Sequence, residues 1–249
     1  MDKQAVREAV WDAFDEGDQA RFPFPPHDRI PNFAGADAAA ERLAATAAWE
    51  SAATLKANPD APQLPVRRAA LRAGKAVYVA QPRLRDPDPF LRLDPAEIPP
   101  EEIDDATTVS GISEYGTPTA PEDVAHVDLI VAGSVGVTTD GARIGKGEGY
   151  SDLEWAVLSE FDAVDTGTTV ATTVHELSVL DGSESAVGGD AERPSPDAHD
   201  VPLDLVVTPE RTVRTDAPYA RPSGVDWDAL DVERLDVIPV LRERAPGSE

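Results

Sequence analysis

Between Val127 and Val137 the chain reads VDLIVAGSVGV, apolar or small at almost every position. A strand of that composition is buried on both faces, which requires a sheet covered by helices on each side. The run leads through the loop Thr138–Gly149 into a helical pattern at about Ser151–Phe161. Further β-branched or apolar runs at Ala76–Ala80, Thr168–Val174 and Leu203–Val207 read as strands. Strands alternating with helices predict an α/β fold, a three-layer α/β/α sandwich with a mostly parallel sheet.

Helices are expected elsewhere by the same periodicity. Lys3–Phe14 places Val6, Val10, Ala13 and Phe14 on one face. Ala36–Ala53 reads as an alanine-rich helix with Asp37 as its N-cap, and Pro65–Ala73 as a short one stopped by Gly74. The stretch FPFPPHDRIPNF (22–33) cannot be helical throughout. Residues 81–125, rich in proline, and the loop 181–198 are expected as surface insertions in a single domain spanning residues 1–249. Leu235–Leu241 reads as a last strand or an extended tail.

Charge narrows the function. The 47 acidic against 22 basic residues give a net charge of −25. Nucleic-acid binding, driven by phosphate neutralisation, is disfavoured overall, although Arg67, Arg68 and Arg72 offer a local basic patch. Only four residues are lysine (Lys3, Lys56, Lys75, Lys146), and an acidic, lysine-poor surface suits a cytoplasm at molar salt, where self-repulsion is screened. A halophilic, cytoplasmic protein is therefore expected, with no membrane span and no signal peptide at the charged N-terminus. Cysteine is absent and histidine numbers four, so any metal should be a hard ion on carboxylate and phosphate oxygens.

Arg143 to Asp152 reads R-I-G-K-G-E-G-Y-S-D. Three alternate glycines (Gly145, Gly147, Gly149) between a strand and a helix permit backbone amides to converge on an anion beside a helix N-terminus. Lys146 and Arg143 would neutralise phosphate charge there, and Asp152, in the first helical turn, would hold Mg²⁺. The bland alternative is a glycine-rich connection without ligand, since the spacing is neither a P-loop nor G-x-G-x-x-G.

The segment VDLIVAGSVGVTTDGARIGKGEGYSDLEWAVL resembles the DG-x-R-[LI]-G-x-G-x-G-YYD signature of the 5-formyltetrahydrofolate cyclo-ligase (5,10-methenyltetrahydrofolate synthetase) family. Lys3-Gln-Ala-Val-Arg7 is similar to the family's K-x-x-x-R helix. Ala198–Asp204 with Val207-Thr208 is similar to its HD-x-x-x-D…T segment. The stretches Arg29–Phe33, Asn58–Gln63 and Pro82-Arg-Leu84 look like a divergent branch, the methenyltetrahydrofolate synthetase domain-containing proteins.

The resemblance implies a ligase that uses MgATP to close 5-formyltetrahydrofolate to 5,10-methenyltetrahydrofolate through a phosphorylated formyl group. It implies ATP contacts from Lys3, Arg7 and Arg143, and from Gly145, Lys146, Gly147, Glu148, Gly149, Tyr150 and Ser151. Lys146 and Arg143 would serve the chemistry, and Asp152 and Asp200 would hold Mg²⁺. Reduced folate would meet Arg7, Asp60 and Tyr150. Phe33 by stacking and Asn32 by hydrogen bonding offer a pteridine pocket, against the alternative that they staple the segment onto the core. Two positions depart from the pattern: the paired tyrosines are Tyr150-Ser151, and the family's E-x-x-T-like folate contact is not preserved in Asn58–Gln63, where Asp60 is a loose substitute. His199 is a further candidate for orienting the metal or phosphate, equally readable as structural, and His175 for a cleft wall, more readily read as a residue that merely caps its strand. The competing readings are a nucleotide-binding regulatory or RNA-associated protein on this fold, and an ATP-dependent ligase for another small substrate.

Overall fold

A computed structural model describes residues 2–181, 185, 195–228, 230 and 236–245. Helix α1 (Lys3–Glu16) is N-capped by the Asp2 carboxylate, which accepts from the Ala5 amide. Its buried face is Val6, Val10, Trp11 and Phe14, so Trp11 takes the place expected of Ala13. A two-stranded hairpin follows, β1 (Ala20–Arg21) against β2 (Asn32–Phe33).

The alanine-rich segment is two helices rather than one, α2 (Ala36–Ala44) and α3 (Ala47–Ser51). Thr46 breaks it, because its hydroxyl accepts from the Trp49 amide and so starts a new helix. Gly35, in the left-handed region, occupies the N-cap of α2, and Asp37 lies in the first turn. The chain then enters β3 (Thr54–Ala57), a strand the helical pattern concealed. Helix α4 (Leu64–Arg72) and strand β4 (Ala76–Ala80) lie where the sequence predicts them.

Residues 81–125 are more regular than expected. They contain β5 (Phe90–Leu93), the short helices α5 (Ile103–Ala106) and α6 (Val109–Tyr115), and β6 (Thr117–Thr119). The apolar run supplies β7 (Leu129–Val131) and then β8 (Gly136–Val137), which pairs with β9 (Arg143–Ile144) in a separate ribbon. Helix α7 (Tyr150–Glu160) follows the glycine loop; β10 (Thr169–Thr173), β11 (Leu205–Val207) and β12 (Thr212–Arg214) complete the strands. Near the C-terminus, Pro239–Arg244 is a helix where an extended segment was expected, while Leu235 and most of 181–198 lie outside the described residues.

The main sheet has the order β12-β11-β10-β7-β3-β4-β5-β6. Its five central strands are parallel; β12 and β5 run against them at either side, and β6 pairs antiparallel with β5 at the outer edge. Alternation along the strands divides the core. Leu55, Ala57, Leu129 and Val131 face the α2–α6 layer, and Tyr78, Ile130 and Val170 face α7 and the C-terminal helix. A third cluster joins α1 and the hairpin to Val135, Ile144 and Leu180. Among the described residues no helix is long and apolar enough to cross a membrane.

From β3 the chain moves one way to β4, and from β7 the other way to β10 and β11. The reversal between β3 and β7 opens a crevice beyond their C-terminal ends, where open α/β sheets bind ligands.

Candidate functional site

A cleft of about 280 Å³ occupies that crevice. Asn58–Asp60 at the end of β3 and Gly133 beyond β7 form its floor, Arg83 one wall, and Lys146–Asp152 its roof. The glycine loop is thus brought over the switch point. Gly147 (φ +104°) and Gly149 (φ +69°) adopt backbone that L side chains rarely take. A Cβ on Gly147 would also lie 3.4 Å from the Arg7 guanidinium carbon. Arg7 Nε donates to the Gly145 carbonyl at 2.7 Å, so α1 clamps the loop from outside.

Lys146 projects into the cleft and pairs with Glu148 at 2.8 Å. Burial lowers the lysine's affinity for its proton, but the Glu148 contact and the Asp60 charge outweigh it and hold the pKa above the ordinary value. Glu148 is held below the usual carboxylate range, first by Lys146 and also by Arg83 at 3.7 Å.

Arg143 and Asp152 are placed differently from the expectation. The Arg143 guanidinium is buried, contacts both Asp152 oxygens at 2.5 Å and donates to the Gly133 carbonyl at 3.1 Å. Asp152 Oδ1 also accepts from the Val201 amide. Burial works against the Arg143 charge, but Asp152 overcomes it and raises the pKa. The pair ties the glycine loop, α7 and the 197–204 segment together. Both residues also line the cleft, so the carboxylate and guanidinium expected at metal and phosphate are here engaged with each other at its edge.

Asp200 lies with Asp197 and His199 in a group whose ligand atoms are within 4.8 Å of one another, the arrangement a cation needs. The Lys3 ammonium already sits there, 2.6 Å from Asp200 and 2.7 Å from Asp197. Burial alone would lower the Lys3 pKa; the two aspartates reverse that and raise it. The donors fit a hard cation only in so far as Asp200 exchanges lysine for it.

The substrate-side expectations divide as well. Tyr150 and Asp60 line the cleft. Asp60 keeps part of its surface open to it, and burial of its carboxyl pushes the pKa up against the opposing charges of Lys146, Arg67 and Lys56. Phe33 does not line the cleft. It is buried with Trp11, Phe14 and Ile30, its ring 6.1 Å from His175, because hairpin residues facing α1 complete the third cluster. Asn32 donates its amide to the Phe22 carbonyl, His175 accepts from the Leu177 amide, and neither is among the residues lining the cleft. Ser151, in place of a tyrosine, reaches Asn58 at 3.3 Å. Arg67 leaves the expected basic patch altogether: it is 1% exposed, while Arg68 and Arg72 are paired with Asp104.

Several site residues escaped the sequence reading. Lys56, 1% exposed on β3, pairs with Glu154 of α7 beneath the cleft. Arg67 donates to the Asn58, Asp60 and Thr107 carbonyls, fixing the floor, and burial lowers its pKa to about 10. Asn58 Oδ1 gathers Lys56, the Gly133 amide and Ser151. The scarcity of lysine was the one signal that marked Lys56; Arg67 entered only as part of a basic patch, and Arg83 only within the segment Pro82–Leu84.

A profile of the 5-formyltetrahydrofolate cyclo-ligase family matches residues 18–209. Methenyltetrahydrofolate synthase domain-containing proteins of Mus musculus and Bos taurus are 40% and 39% identical over 246 residues, and that of Homo sapiens is 35% identical. These matches cover 97% of this chain and 63%, 61% and 61% of the relatives, so the chain spans about three fifths of their length. The NMR structure of Aquifex aeolicus 5,10-methenyltetrahydrofolate synthetase has a similar fold, with a TM-score of 0.51 at 16% identity over 88% of this chain and 96% of that one.

Proposed function

The chain belongs to the 5-formyltetrahydrofolate cyclo-ligase family, and on that premise we propose that it is a cytoplasmic, ATP- and Mg²⁺-dependent ligase. It would close 5-formyltetrahydrofolate to 5,10-methenyltetrahydrofolate. The observation that carries this reading is the cleft itself: a lysine on a glycine-rich loop, clamped by Arg7 and set at the topological switch point.

In the proposed reaction the formyl oxygen takes the γ-phosphoryl group and ADP leaves. N10 then attacks the activated carbon, the N10 proton is lost, and phosphate departs. Such chemistry needs positioning and charge neutralisation more than acid–base groups. Lys146 supplies the charge in the cleft, and the loop amides with the α7 N-terminus supply the cradle. Magnesium bound with the nucleotide would offset phosphate charge; Asp200 is the carboxylate available to it, with Lys3 released to the nucleotide. Arg143 and Asp152 hold the loop in register without touching the reacting atoms. Tyr150 and Asp60 are the proposed contacts for the reduced folate, Asp60 replacing the family's glutamate at the floor.

The test is ATP-dependent formation of the methenyl product, followed by absorbance with Mg²⁺ in molar KCl. Turnover that Lys146→Ala lowers at least 100-fold is expected. Absence of both product and ADP release from a folded protein would refute the reading. MgATP binding through Lys146 without the methenyl product would assign the nucleotide half to a ligase for another formylated compound.

A further inference from the structure

Arg83 lies outside every expectation drawn for the site, yet it faces the cleft opposite the glycine loop. It sits in the turn Pro82–Leu84 that follows β4, with φ 60° and ψ 20°, and Leu84 beside it has φ 51°. Non-glycine residues hold such backbone only where the surroundings impose it. Here the anchor is Leu84, fully buried in the core, so the turn is pinned from below while Arg83 is carried over the cleft.

Across the opening, Glu148 receives Lys146 at 2.8 Å and Arg83 at 3.7 Å. The lysine contact is tight and the arginine contact loose. A single carboxylate leaves much of the guanidinium fork unmet, whereas a phosphate group presents three oxygens to the same two cations. All three side chains keep more than a third of their surface exposed, so the central anion can exchange with one from solution.

We propose that Arg83 is an anion-binding residue of this cleft, and that Glu148 is a built-in counter-anion which a polyphosphate displaces. Lys146 and Arg83 then close on the phosphate from the two sides. The device holds the cations together in a chain of net charge −25, and it selects ligands with enough charge to displace a tethered carboxylate. The inference rests on the nucleotide reading above, adds Arg83 to it and turns Glu148 from an expected nucleotide contact into the group that the phosphates displace.

The test is calorimetric titration of the full chain with MgATP and, separately, with inorganic tripolyphosphate. Glu148→Gln should tighten both by roughly three- to tenfold, as expected for loss of a competing ion pair. Arg83→Asn, chosen because asparagine tolerates left-handed backbone, should weaken both by a similar factor and flatten their salt dependence. Arg83→Lys should recover part of the loss. In the Arg83→Asn background the gain from Glu148→Gln should shrink by at least half, which a general charge effect would not do. Binding in Glu148→Gln but not in the wild type would support the proposal in its strongest form.

Wild-type binding that Lys146→Ala weakens, but that neither Glu148→Gln nor Arg83→Asn alters, would overturn this proposal and leave the nucleotide reading standing. If neither the wild type nor Glu148→Gln binds either probe, both fall together.

Discussion

At the scale of single residues, the cleft separates cations that hold the structure from cations left for a ligand. Arg143 is buried against Asp152, whereas Lys146 stands at the opening. Removing one partner of a buried pair leaves the other charge stranded, at a cost of about 3–5 kcal/mol. Arg143→Ala should therefore lower stability by that amount in urea unfolding, while Lys146→Ala should change it by less than about 0.5 kcal/mol. Equal losses would mean that Lys146 is structural too. Asp60 gives a pH signature. Its folded pKa lies above the ordinary 3.8, so the folded state binds its proton more tightly than the unfolded chain does. Its contribution is most favourable below 3.8 and declines as pH rises through the folded pKa. The Tm of the wild type relative to Asp60→Asn should fall across that interval; a difference independent of pH would contradict the buried carboxyl. Asp60 was legible in the sequence only as a loose substitute in a recognisable segment, because its environment is built by Arg67 of the next helix and by Lys146 from a distant loop.

At the scale of elements, α7 and β3 show why periodicity reached one and missed the other. Helix α7 follows an uninterrupted glycine loop and begins within one residue of its expected start. Strand β3 reads Thr-Leu-Lys-Ala, short and interrupted by a charge, directly after an alanine-rich stretch with helical propensity. The Glu154 carboxylate of α7, with Asn58 Oδ1 as a second acceptor, makes a lysine tolerable in a central strand. The pair therefore docks α7 onto the sheet, and the two residues should behave as a unit. Lys56→Met alone should destabilise by about 3–5 kcal/mol, whereas Lys56→Met with Glu154→Leu should be close to neutral. A double variant as damaged as the single one, judged by denaturant midpoint, would show that the polar network around Asn58 rather than the pair sets the docking.

At the scale of the whole molecule, charge and topology act separately. Each of the four lysines has an assigned partner: Lys3 the Asp197–Asp200 group, Lys56 Glu154, Lys75 the Ala52 carbonyl, and Lys146 Glu148. Most of the remaining negative charge is left to solvent and counterions. Raising KCl from 0.1 to 1 M shortens the Debye length from about 10 to 3 Å. The Tm should rise by roughly 5 °C as self-repulsion is screened. A Tm unchanged across that range would remove the basis for a salt-adapted surface.

Composition and local pattern by themselves determined the layered α/β class, the strand–glycine loop–helix unit and its lysine, because these depend on short-range periodicity and on backbone freedom at glycine. The pairing of Arg143 with Asp152, the burial of Lys56 and Arg67 and the approach of Arg83 to Glu148 were decided by the tertiary structure alone. Each depends on which charges and surfaces the crossover at β3 and β7 brings within a few ångströms. The energy of a charge is set by those neighbours and by its burial, not by its place along the chain.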